Sequence, residues 1–233
     1  MPEQAEQAAR PQPKAAGGEP QRLAVQEAID FWNQRHQIRG ELLSGGDLSF
    51  DHATNEILYA LRLGRLIDII GTTSSVVAPL RVLDAGCGKG YFARAMARFG
   101  HRLDGIDSSE AAIENCRLNA ALGERCELST LDRWQPPYLY DVVYCVDVLF
   151  HIMEDSVWER SVRNLASLVR LGGRLILSDH KSDVERLWGS YQVTRSASRY
   201  RALLESSGFA ADGFVPYRFR DSRVGFHVFT RIG

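Results

Sequence analysis

Apolar residues at Leu23, Val25, Ile29, Phe31 and Trp32 recur at the spacing of a half-buried helix, a pattern that stops near Gly40. A second helical stretch runs from about His52 to Ile70, with Ile57, Leu58, Leu61, Leu66 and Ile69 on one face. The turn-rich Ser44-Gly45-Gly46-Asp47 separates the two. After Pro79, short apolar runs alternate with amphipathic stretches, which predicts a parallel sheet with helices on both faces. The predicted strands are Arg81 to Ala85, Arg102 to Ile106, Arg125 to Leu128, Asp141 to Val146 and Arg174 to Leu177. Helices are expected from Tyr91 to Phe99, from an N-cap at Ser108 to Leu122, and from Val157 to Val169, with Gly172-Gly173 as the stop. A helix at Ser198 to Ser206 follows. An antiparallel hairpin, Gly213 to Phe219 and Val224 to Thr230 around Asp221-Ser222, closes the chain.

Three segments result. Residues 1–20 lack any aromatic or β-branched residue and are expected to be a disordered tail, because they bury too little to offset ordering entropy. Residues 21–78 form a helical cap or lid outside the strand and helix alternation, and residues 79–233 form the α/β domain. Among the 233 residues, 28 are basic and 29 acidic, so no global field draws the chain to nucleic acid or to an anionic membrane. Seven Arg against three acidic residues from Arg195 onward leave a local basic patch that an anionic substrate could use. Cys87, Cys116, Cys126 and Cys145 are too irregularly spaced for a C-x-x-C site and read as small buried hydrophobes. No apolar run approaches the roughly 20 residues a membrane span needs. A reduced, cytoplasmic protein is the simplest expectation.

Chemistry enters at Val82-Leu83-Asp84-Ala85-Gly86-Cys87-Gly88-Lys89-Gly90. A strand feeding a glycine-rich turn ordinarily suggests bound phosphates. Here Asp84 would repel a pyrophosphate, Tyr91 stands where the dinucleotide spacing wants Gly, and Lys89 precedes Gly90 rather than the Ser or Thr of a P-loop. The nonapeptide resembles the first motif of class I S-adenosylmethionine-dependent methyltransferases, whose cofactor has an ammonium and a sulfonium but no phosphate. The resemblance implies a doubly wound, seven-stranded, mostly parallel sheet with its last strand reversed. It also implies that Gly86 and Gly88 pack against the cofactor's amino-acid part and that Asp84 orients its ammonium.

Ligands of such sheets lie beyond the carboxyl ends of the strands. Asp107 ends strand two and is favoured over Asp104 for the ribose hydroxyls. By resemblance, Asp132 reaches the adenine amino group, Leu131 forms its wall and Val146 lines the methionine chain. Strand four ends in Asp147-Val148-Leu149-Phe150-His151. There His151 would face the transferred methyl group as general base, since an imidazole of pKa about 6.5 suits that task near pH 7. His180, beyond strand five, is the runner-up.

In the cap, Trp32, Asn55, Tyr59 and Arg62 mix flat apolar faces with polar ends that suit a polyhydroxylated acceptor, and Trp188 and Tyr191 could close its other side. Glu154 and Asp155 are expected to serve the helix start; a sharper reading gathers them with His151 around a divalent cation, magnesium rather than zinc. The leading expectation is O-methylation of a small-molecule hydroxyl, with a sugar or hydroxylated natural product preferred. N- or C-methylation of a metabolite and a non-catalytic cofactor-binding protein are the alternatives. Strand four lacks the Asn/Asp-Pro-Pro-Tyr of many amine-methylating enzymes, and Pro136-Pro137-Tyr138 precedes the strand. Neither nucleic acid nor membrane is an expected partner. A homodimer is one candidate assembly.

Overall fold

The computed structural model describes residues 22–71, 79–220 and 222–233. The expected tail and the tip of the hairpin at Asp221 lie outside the described residues. The cap contributes α1 (Val25–Ile38), a single turn α2 (Glu41–Ser44) and α3 (His52–Gly71). The domain then alternates β1 (Arg81–Ala85), α4 (Tyr91–Arg98), β2 (Arg102–Asp107), α5 (Glu110–Leu118), β3 (Glu124–Leu128) and β4 (Tyr140–Cys145). A 3-10 turn (Leu149–His151), α6 (Asp155–Ser167) and β5 (Val169–His180) follow. The chain ends with β6 (Arg186–Trp188), β7 (Gln192–Thr194), α7 (Ala197–Glu205), β8 (Phe209–Pro216) and β9 (Val224–Arg231).

One sheet runs β3-β2-β1-β4-β5-β9-β8, with β1 to β5 paired in parallel and β9 antiparallel to both neighbours. Because successive strand residues point to opposite faces, β1 splits its side chains between two cores. Leu83 and Ala85 join Trp158, Leu165 and Tyr200 from α6 and α7. Val82 joins Leu66, Phe92 and Met96 from α3 and α4. Strand order reverses between β1 and β4, so the strand-end loops carrying Gly86, Asp107 and Asp147 open toward one crevice.

Several local expectations are corrected. The N-cap of α5 is Ser109, whose hydroxyl accepts from the Ala112 N–H at 3.1 Å, because the Ser108 to Ser109 step still belongs to the exit from β2. Gly172 and Gly173 are no helix stop: they lie inside β5, where the pairing shifts from Tyr140↔Val169 to Val142↔Arg174. There a Cβ on Gly173 would approach the Asp141 carbonyl to 2.8 Å, so the bulge needs glycine for close backbone contact. The small β6–β7 hairpin has no counterpart in the sequence reading. Cys116 and Cys126 are bonded to each other, joining α5 to β3, while Cys87 and Cys145 are free and buried as expected. No described helix is long and apolar enough to cross a membrane.

The cap is fastened to the domain by polar contacts. Asn33 Oδ1 on α1 accepts from the Ser109 hydroxyl at 2.9 Å and from the Ala111 N–H at 3.1 Å, which places it over the start of α5. Lys89 of the glycine turn donates to the Arg39 carbonyl at 2.7 Å, just past the end of α1.

Candidate active site

A cavity of about 540 Å³ lies under α1 at the strand ends, within the size range of small-molecule and cofactor sites. Its floor is the turn Gly86-Cys87-Gly88-Lys89, folded back by Gly86 and Cys87 N–H groups that donate to the Ile106 carbonyl at 2.8 and 2.9 Å. Gly86 has φ +86° and a Cβ there would overlap Val148, so the turn can approach a ligand only without a side chain. Asp107 braces the same turn: one carboxylate oxygen accepts from the Gly88 N–H at 2.9 Å and the other from the Ser109 N–H at 2.9 Å. Lone pairs remain on both oxygens for hydroxyl donors in the cavity, which Asp107 lines. Leu131, Asp132 and Val146 line it too, and Asp132 is oriented by the Thr130 hydroxyl at 2.7 Å.

Asp84 lies deeper. It is fully buried beneath the turn and does not itself line the cavity; neither oxygen makes a hydrogen bond of good geometry, although the Tyr144 hydroxyl and the Ala93 N–H both act on the carboxyl. Burial pushes its carboxyl up to about 8, so it holds a proton near neutrality until a positive charge arrives. A buried, poorly satisfied carboxyl under a glycine cradle fits a ligand with an ammonium group better than one with a phosphate.

On the opposite wall, His151 ends the 3-10 turn with its ring between Trp32, 4.7 Å away, and Tyr191, stacked at 5.9 Å. Its Nδ1 stands 2.9 Å from the Tyr191 carbonyl. A carbonyl only accepts, so Nδ1 carries the proton and the lone pair sits on Nε2. Burial, opposed by that hydrogen bond and by Asp147 and Asp179, holds the imidazole below its ordinary value and keeps it neutral at pH 7.

Arg62 and Tyr59 line the cavity in a different role from that expected. Arg62 is ion-paired with Asp147 and lies 5.4 Å from the ring centres of both Tyr59 and Tyr217. Asp147 adopts φ +56°, a left-handed conformation that Asp tolerates, and also accepts from the Tyr217 and Ser178 hydroxyls at 3.1 and 2.8 Å. Tyr59 stacks on Phe92 at 5.4 Å, and burial raises its phenol.

Five expected site residues lie elsewhere, and Tyr191, which stacks on His151, is also outside the cavity lining. Asn55 is buried away from the cavity: its oxygen accepts from the Asp47 N–H at 2.9 Å and its amide donates to the carbonyls of Asp47, Phe50 and Asp51, closing the turn before α3. His180 points outward from β5 to Thr194 and stacks on Trp188. Trp188 itself is 37% exposed, donates to Thr194 at 2.9 Å and lies outside the cavity lining. Asp155 is held by Arg195 at 2.9 Å and Arg199 at 3.2 Å, two guanidinium groups that would repel a divalent cation, and exposed Glu154 bonds to Ser156. Asp147 is neutralised by Arg62 and Asp179 accepts from Tyr200 at 2.8 Å. Among the described residues, the one metal-sized cluster is Cys116, Glu124 and Cys126, whose two sulfurs are bonded together.

His36, on α1, also lines the cavity. It is buried there, with Cε1 3.4 Å from where a Gly88 Cβ would stand and with Nδ1 lacking a partner among the described residues. Its signal in the sequence is one polar position in an otherwise amphipathic helix, which nothing local distinguishes from a surface residue.

A methyltransferase-domain family matches residues 53–212. A ubiquinone biosynthesis O-methyltransferase of Aeromonas salmonicida is 36% identical over 118 residues, covering 48% of this chain and 48% of its own length. One from Bradyrhizobium diazoefficiens is 27% identical over 126 residues, covering 52% and 46%. The chain thus spans about half the length of the curated relatives it matches. Among solved structures, magnesium protoporphyrin IX methyltransferase (ChlM) from Synechocystis PCC 6803 with bound SAH aligns with a TM-score of 0.69 at 20% identity, over 89% of this chain and 100% of that one. The CcbJ methyltransferase of Streptomyces caelestis aligns at 0.58 and 16% identity over 74% and 90%. At these identities the structures share the fold.

Proposed function

The chain belongs to the class I S-adenosylmethionine-dependent methyltransferases, and on that premise we propose that it methylates a hydroxyl of a small, flat acceptor with His151 as general base. The observation that carries this reading is the His151 to Tyr191 hydrogen bond, which leaves the lone pair on Nε2 of a residue that lines the cavity.

S-adenosylmethionine is the cofactor, and when bound it supplies an electrophilic methyl group on a sulfonium. The residues present fit it. Gly86 and Gly88 leave the turn's backbone open to its amino-acid part, Asp107 would accept from ribose hydroxyls, Leu131 and Asp132 would hold the adenine, and Val146 would line the methionine chain. Asp84 supplies the negative charge that an ammonium above it would draw out.

The protein's own chemical task is to hold the acceptor and remove its proton, a contribution of roughly 10²–10⁴ in rate for a positioned base. A phenolic hydroxyl, with a pKa near 10, lies far closer to an imidazole than a sugar hydroxyl does. Trp32, Tyr59, Tyr91 and Phe92 give the cavity flat apolar walls, and the curated relatives are O-methyltransferases named for ubiquinone biosynthesis. Both observations favour an aromatic hydroxyl within the class of hydroxylated natural products.

The test is incubation with methyl-labelled cofactor and matched panels of phenols, sugars and amines, with products identified by mass spectrometry. Labelled phenol ethers that disappear with His151→Asn support the reading. Label on nitrogen or carbon, or full activity of His151→Asn, overturns it.

A further inference from the structure

We propose that Arg195 is a positioning residue that fixes the imidazole of His151; the proposal rests on the reading of His151 given above. Arg195 follows β7 directly and its side chain is fully buried. Its guanidinium reaches across to the turn that carries His151. Nη1 donates to the Leu149 carbonyl at 3.4 Å and Nη2 to the Ile152 carbonyl at 2.8 Å. Leu149 opens that 3-10 turn and Ile152 caps it, so one planar group ties both ends of the segment holding His151.

The same short stretch grips the ring itself. Tyr191, four residues before Arg195, provides the carbonyl that takes the Nδ1 proton. The β6–β7 turn therefore sets the tautomer of His151, and the residue that follows β7 sets its backbone.

Arg195 is itself anchored. Asp155 accepts from its Nη2 and Nε at 2.9 and 3.3 Å, and the ring centre of Trp158 lies 4.7 Å from its central carbon. Burial lowers the guanidinium's pKa and the Asp155 carboxylate opposes that shift, so the buried charge has its counter-charge in contact. Lysine could keep the charge but not the fork, since its ammonium is a compact point that cannot span two carbonyls and a carboxylate in one plane. Arg199 offers an internal contrast. It shares Asp155 at 3.2 Å and Trp158 at 4.9 Å but pairs outward with Glu185.

The experiment is nitrogen-detected NMR of His151 in the full chain saturated with S-adenosylhomocysteine, comparing wild type, Arg195→Lys and Arg199→Met. It needs no acceptor. Wild type is expected to show the Nδ1-protonated tautomer with a titration midpoint below 6.5. In Arg195→Lys the midpoint moves toward 6.5 and the other tautomer appears, while S-adenosylhomocysteine affinity by calorimetry stays within about threefold. Arg199→Met leaves the His151 signals unchanged. If Arg195→Lys does not fold, Asp155→Asn, which loosens the guanidinium without removing it, is expected to shift the midpoint the same way. Unchanged tautomer and midpoint in the folded variant, or an equal shift in Arg199→Met, overturns the proposal. Failure of the base reading is seen separately, as full turnover by His151→Asn, and leaves the NMR outcome to judge Arg195 on its own.

Discussion

Arg62 on the cap helix α3 and Asp147 at the exit of β4 form a buried ion pair across the boundary between cap and domain. Two charges without water are stable only together, so removing one strands the other. Arg62→Met is expected to cost about 3–5 kcal/mol, measured by urea denaturation. Arg62→Met combined with Asp147→Asn, which leaves no charge unpaired, should recover part of that loss. A single-variant cost under about 1 kcal/mol would show that solvent reaches the pair.

Asn33 and Ser109 make a second fastening, between the lid and the start of α5. Asn33→Ala removes two hydrogen bonds, each worth about 0.5–1.5 kcal/mol, whose geometry depends on α1 being closed. If closure of α1 completes the cofactor compartment, S-adenosylhomocysteine binding should weaken by roughly three- to thirtyfold, with little change in melting temperature. Calorimetry paired with a thermal melt separates that outcome from general destabilisation.

The domain was legible because its strands are short continuous apolar runs bounded by turn residues; the bounds of β1 agree residue for residue and those of β4 differ by one at each end. Gly86 and Asp107 announce themselves as special residues at strand ends. Asn55 misled because its amide looks free in sequence, whereas four hydrogen bonds to a turn up to eight residues earlier consume it. His180 and Trp188 misled for a related reason: sequence shows that they follow β5 but not that they stack on each other outside the cavity. Arg195 lay hidden because its partners, Leu149, Ile152 and Asp155, are 40 or more residues away and two of the contacts are carbonyls that any residue could provide.

Gly86 provides a sharper test of the cradle. Gly86→Ala adds a Cβ that meets Val148 and also forces a positive φ on alanine. Cofactor affinity should fall by at least about a hundredfold, the equivalent of about 2.7 kcal/mol. Val148→Ala in the same chain removes the overlap but not the backbone strain, so partial recovery is expected. Full recovery would mean that crowding alone matters, and none would place the strain in the backbone.

Stability should depend on pH through two opposed groups of residues. His36, His101, His151 and His227 are all held below their ordinary value by burial, so the unfolded chain binds more protons than the native one as pH falls through 6.5. Their contribution is complete above 6.5 and is lost on acidification. Asp84 has the opposite sign. Its folded pKa of about 8 exceeds the unfolded value of about 3.9, so its contribution is complete below about 4 and is lost as pH rises toward 8. Denaturation midpoints of the cofactor-free protein from pH 5 to 9 should therefore pass through a maximum, and Asp84→Asn should flatten the alkaline side and steepen the acidic one, because the carboxyl's contribution falls across the whole interval from about pH 4 to 8. The same carboxyl makes a binding prediction. An ammonium near the turn favours its anion, so S-adenosylhomocysteine should release protons at pH 7, read as a buffer-dependent binding enthalpy that disappears in Asp84→Asn. A wild-type enthalpy independent of buffer would remove Asp84 from cofactor recognition and leave it a buried, protonated core residue.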